Sequence, residues 1–153
     1  MEASPWGGRI VIASVIGIIL ATASLSAPYY MIGDSDHYVY LTNSYDSPYP
    51  DPFHSLRTKM TVFVSFYVLL SLAYLWTVME GARRGSLYLG AGTCAFGVVI
   101  AAYFALEASR VQRGGDLAWG FLAFVLAIVL MVTSTGMRGW SLSYRSFDSG
   151  ADE

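Results

Sequence analysis

Residues 117–137 read LAWGFLAFVLAIVLMVTSTGM, twenty-one consecutive residues without a single charge. An α-helix needs roughly 20 apolar residues to cross a ~30 Å hydrocarbon core, and this run has that length. A soluble helix would carry charges on its wet face, at helical spacing. Three more stretches have the same character: residues 10–27, 60–79 and 85–106, each free of Asp, Glu, Lys and Arg. The charges sit between the runs. The chain therefore reads as an all-α membrane protein with four transmembrane helices.

Composition agrees. Of 153 residues, 55% are hydrophobic and 13% charged, where soluble domains hold about 25% charged residues. Mean hydropathy is +0.49. A net charge of −2, with no basic cluster larger than Arg83-Arg84, gives no footprint for nucleic acid. Arg9 and the Ala21-Thr22-Ala23 triplet have the outline of a secretory leader. The uncharged stretch runs on to Gly33, long for such a leader, and the first span is expected to be retained. One domain is expected over 1–153.

Connections set the layout. The Gly-Ala-Arg-Arg-Gly turn at 81–85 and the loop at 107–116 are short enough to make spans two, three and four sequential neighbours. The expected architecture is an up-down-up-down four-helix bundle with both termini on one side. A long loop, 28–58, joins spans one and two, and a polar tail covers 140–153. With cytoplasmic termini, Arg9, Arg83, Arg84, Arg138 and Arg145 lie inside, and Arg57, Lys59, Arg110 and Arg113 outside. That small excess, the Arg83-Arg84 pair in the tightest loop and the acidic, aromatic character of 28–58 set the expected orientation, with the loop external; the plasma membrane is the expected location.

Helices in lipid associate through close approach of small residues, because lipid tails are as apolar as leucine. Span one offers Ala13, Gly17 and Ala21; span three offers Gly90, Cys94, Gly97, Ala101 and Ala105. Span three is expected to be the most buried helix. Span two carries Phe63, Phe66, Tyr67, Tyr74 and Trp76, and is expected to turn its aromatics to lipid or a partner. No Asp, Glu, Lys, Arg or His lies near a span centre, which argues against a proton- or ion-coupled path. No histidine lies within the spans, which argues against histidine-ligated haem, and no cofactor is expected.

The outer loop holds the chemical variety. Tyr29, Tyr30, Tyr38, Tyr40, Tyr45 and Tyr49 make it tyrosine-rich, and tyrosine gives rigid amphipathic contact area at low entropy cost. Residues 37–42 have strand character. Asn43-Ser44 could turn them into a short β-hairpin with residues from Tyr45 onward, making the loop a small ordered cap. Pro48, Pro50 and Pro52 favour an extended course. Asp34, Asp36, His37, Asp46, Asp51 and His54 match no metal-ligand spacing and read first as solvated charges.

The layout of four spans, a long first outer loop with strand character and a short second one resembles the claudin and peripheral-myelin group. The group's Trp-Gly-Leu-Trp-Cys-Cys type loop signature is missing, since residues 28–58 hold neither Trp nor Cys. No site residue is carried over. The reading that follows is a non-enzymatic membrane protein acting through contacts: an accessory subunit of a membrane complex, or a claudin-like adhesion or scaffold module. Its partners would be the lipid bilayer and other membrane subunits or a second copy, with the six loop tyrosines as contact residues. The alternatives are an oligomeric channel or uncoupled transporter, and a membrane enzyme using Asp34, Asp36, His37 and His54.

Overall fold

Four helices carry the structure, a computed structural model that describes residues 7–31, 38–41, 54–111 and 116–148. They are α1 (Gly7–Ser24), α2 (His54–Met79), α3 (Arg83–Val111) and α4 (Trp119–Asp148). All four are long and apolar enough to cross a membrane, so the chain is membrane-embedded. Three short strands, β1 (Pro28–Met31), β2 (Tyr38–Tyr40) and β3 (Asp116–Leu117), complete the elements.

The helix ends depart from the apolar boundaries, because backbone hydrogen bonds rather than hydropathy end a helix. α1 stops at Ser24 instead of Ala27. Pro28 disfavours helix in the residue before it, and the Ser24 hydroxyl turns back to the Ala21 carbonyl at 2.7 Å. α2 begins at His54, six residues before the apolar run, with Leu56 already buried. His54 is thus helical, at the polar end of α2. Span four does not start at Leu117, which is in β3. α4 also runs through much of the expected polar tail, to Asp148. No Gly or Pro interrupts the sequence between Gly139 and Gly150 to stop it.

The α2–α3 turn is shorter than its five-residue sequence signature. Gly81 takes φ 78°, the left-handed conformation that a helix C-terminus requires and that glycine adopts most easily. Its amide donates to Val78 O at 3.2 Å, and the Ala82 amide donates to Thr77 O at 3.0 Å. Those two bonds form a Schellman cap. α3 then begins at Arg83, placing both turn arginines in its first turn.

α1 packs mainly on α4 and α2, and α3 on α2 and α4. Contact pairs run in opposite senses along α3 and α4: Gly90 meets Thr135, Gly97 meets Ile128, and Phe104 meets Phe121. Buried positions on α1 are 10, 14, 17, 21 and 24; on α3 they include 86, 90, 93, 97, 100 and 104. These steps alternate between four and three, the spacing of a coiled-coil seam.

The small residues work differently from the stripes read in the sequence. Gly17 and Ala21 are buried, and a Cβ on Gly17 would lie 3.3 Å from the Ala127 carbonyl oxygen of α4. Ala13 is only half-buried because Ser14 takes the seam position. On α3, Gly90 and Gly97 face inward, while Cys94, Ala101 and Ala105 flank them half-buried. α3 is not the most buried helix: 39% of α4's apolar stretch is buried against 28% of α3's. Nor does α2 turn all its aromatics outward. Phe66 and Trp76 are exposed, but Tyr67 and Tyr74 are fully buried, seated over Gly97 and Gly90. The glycines are notches for tyrosine rings, so bulk on one helix is matched by its absence on the next.

Candidate functional site

A small three-stranded sheet caps one end of the bundle. β1 pairs antiparallel with both β2 and β3, giving the strand order β2-β1-β3. The partner of β2 is therefore β1, which comes before it in the chain. The expected turn at Asn43-Ser44 and the strand from Tyr45 onward lie outside the described residues. β3 comes from the connection between α3 and α4. One small sheet thus joins both loops at this end of the bundle.

Tyr29 anchors the sheet. It is fully buried, its ring edge-on to Phe104 at 5.3 Å and to Phe121 at 6.4 Å, while those two rings stack at 5.5 Å. Its hydroxyl bonds the Ser24 hydroxyl at 2.8 Å, and its carbonyl accepts the Ala118 amide at 2.9 Å. Burial pushes the Tyr29 phenol well above the ordinary tyrosine range, and the Ser24 bond offsets a smaller part of that rise. Tyr29 is therefore sealed inside, away from the surface that a contact residue would need. The backbones of Tyr30, Tyr38 and Tyr40 lie in the sheet, while Tyr45 and Tyr49 lie outside the described residues.

Two further fastenings hold the cap. The Thr61 hydroxyl of α2 lies 3.0 Å from the Leu41 carbonyl, just after β2, and 2.9 Å from the Arg57 carbonyl. Gly120 lets the first turn of α4 close on the α1–β1 connection: a Cβ there would stand 2.6 Å from Pro28 O and 2.8 Å from Ala27 Cβ. Thr61, Gly120 and β3 were not legible as cap residues. A two-residue strand has no periodicity, and a threonine near the start of an apolar run reads as part of that run.

A second polar feature lies inside the bundle. Ser14 and Ser134 hydroxyls are 2.7 Å apart, Tyr74 OH is 3.1 Å from Ser134 Oγ, and Ser14 Oγ is 2.9 Å from Ile10 O. One proton arrangement satisfies all three contacts: Tyr74 donates to Ser134, Ser134 to Ser14, and Ser14 to the Ile10 carbonyl. This chain links α2, α4 and α1 through fully buried groups. Tyr67, one turn pair away, is also buried, but its hydroxyl has no hydrogen-bond partner among the described residues. At the far end, Arg138 of α4 reaches the α2–α3 turn, with Nε 3.3 Å from Ser86 Oγ and Nη2 3.4 Å from Ala82 O.

Among the described residues no group of three or more His, Cys, Asp and Glu side chains gathers as for a metal ion. Of the residues named for a membrane enzyme, Asp34, Asp36 and His37 lie outside the described residues, as do the other loop acids Asp46 and Asp51. Comparisons by sequence with protein families and curated proteins, and by structure with solved proteins, find no match.

Proposed function

We propose that the chain is a non-enzymatic integral membrane protein that works through contacts, as an accessory or scaffolding subunit of a membrane complex. The observation that carries this reading is the sheet that ties residues 28–31, 38–40 and 116–117 together on an anchored Tyr29. A cap built from both loops and fastened to α2, α3 and α4 offers a partner a pre-ordered surface, which lowers the entropy lost on binding. The opposed running of contacts along α3 and α4, and the tight α2–α3 turn, favour an up-down-up-down bundle with both termini on one side. In this reading that side is cytoplasmic, the cap faces outward, and the membrane is the plasma membrane. The tyrosines beyond Tyr29 provide the contact surface.

The test is native pull-down of the full chain in mild detergent with mass spectrometry, beside cross-linking of the purified protein. A stoichiometric membrane-protein partner or a defined homo-oligomer is the expected result. The absence of both a stable partner and self-association would overturn the reading.

A further inference from the structure

Between α2 and α3, at the cap end of the bundle, lies an apolar groove of about 360 Å³ lined by Lys59, Phe63, Phe96, Val99, Ile100 and Tyr103. That volume is within the roughly 300–1,000 Å³ of small-molecule sites. Phe63 lies edge-on to Phe96 at 6.4 Å and to Tyr103 at 6.3 Å, so three interlocked rings form its wall. Ile100 is buried at its base and Val99 stands exposed at its side. Five of the six lining residues are aliphatic or aromatic. The sixth, Lys59, is the last charged residue before the uncharged run of α2 begins at Met60. It therefore stands at the level where hydrocarbon gives way to headgroups.

Lys59 is exposed and has no ion pair among the described residues. The acidic residue nearest on the facing stretch of α3 is Glu107, one turn beyond Tyr103, and Arg110 engages it at 2.8 Å. The groove thus couples an acyl-sized apolar trough to one uncommitted cation at headgroup depth. We infer that it is a binding site for a single anionic phospholipid, with one acyl chain along the aromatic wall and the phosphate-bearing headgroup at Lys59. The charge complementarity selects an anionic over a zwitterionic lipid, and the rings supply the contact area that holds the chain. This site is separate from the cap and does not depend on the contact reading above.

The test is native mass spectrometry of the full chain, released from detergent with an equimolar mixture of dioleoyl-phosphatidylglycerol and dioleoyl-phosphatidylcholine. One phosphatidylglycerol adduct should persist in preference to phosphatidylcholine. Lys59→Gln should lower that preference by about fivefold, the weight of one lysine beside an anionic headgroup, and Lys59→Arg should keep it. Val99→Trp, at an exposed position, should fill the trough and reduce both adducts. Arg57 lies two residues away, on another side of α2, and Arg57→Gln should leave the preference intact. An unchanged preference in Lys59→Gln, an equal loss in Arg57→Gln, or an adduct indifferent to Val99→Trp would each overturn the proposal.

Discussion

The ring of Tyr67 occupies the space that a side chain on residue 97 would need. A Cβ built on Gly97 would stand 2.7 Å from Tyr67 Cε2 and 2.9 Å from Ile128 Cγ1. Hydrophobic burial gives helices no net drive to associate in lipid, so this fit carries an unusual share of the packing. Gly97→Ala is expected to destabilise the bundle by about 1–3 kcal/mol, the range of core overpacking. Tyr67→Leu in the same chain should recover part of that loss. A double-mutant cycle by thermal or denaturant unfolding in detergent checks it; additive losses would show that the two residues do not share the space.

Tyr67 and Tyr74 are both buried tyrosines of α2, yet they should respond oppositely to loss of the hydroxyl. The Tyr74 hydroxyl bonds Ser134, whereas Tyr67's has no partner among the described residues. Tyr74→Phe should cost about 0.6–1.7 kcal/mol, the measured scale of hydrogen bonds between membrane helices. Tyr67→Phe should be neutral or stabilising, because it removes a desolvated group that gains nothing in return. Comparing the two melting temperatures decides the matter.

Gly120 faces backbone rather than a movable side chain, with Pro28 O 2.6 Å from where its Cβ would lie. Gly120→Ala should therefore cost at least as much as Gly97→Ala, since neither partner can rotate away. Its damage should concentrate at the cap: amide exchange at Ala118, whose N–H is held by Tyr29 O, should quicken before exchange in the middle of the helices. A uniform quickening would argue against a local role.

Tyr29 predicts an alkaline sensitivity. Its folded pKa is raised above the unfolded value by burial. Its neutral form therefore supports the fold fully below the unfolded value of about 10, and that support is lost as pH rises beyond it. Tyr29→Phe should cost about 1 kcal/mol near neutrality through the Ser24 bond. It should also flatten the decline in melting temperature above pH about 10. Parallel declines in the two proteins would remove Tyr29 as the cause.

The membrane class was readable from apolar length alone, because the bilayer sets that length directly. Gly17, Gly90 and Gly97 were readable as close-approach sites from the helical spacing of small residues around them, whereas Gly92 and Gly136 lie in spans and have no neighbour within 4 Å of a built Cβ, so glycine alone does not mark a contact. Their partners were not. Nothing in the spacing of Tyr67 and Tyr74 says that these rings turn inward while Phe66 and Trp76 turn out; the notches on α3 decide it. The cap was half legible: residues 37–42 carry strand-forming types, but the pairing of β1 with β3 links segments far apart in sequence. Tyr29 looked like its neighbouring tyrosines by composition. Only the placement of Phe104 and Phe121 makes it an anchor.

α4 has 30 residues and at 1.5 Å per residue is roughly 45 Å long, against a hydrocarbon core of about 30 Å. Its uncharged run ends at Arg138, which is braced against the α2–α3 turn. The ten helical residues from Gly139 to Asp148 then rise roughly 15 Å past that brace. A group carried on this extension, up to Asp148, would stand off the bilayer on a stiff mast instead of trailing on a tether.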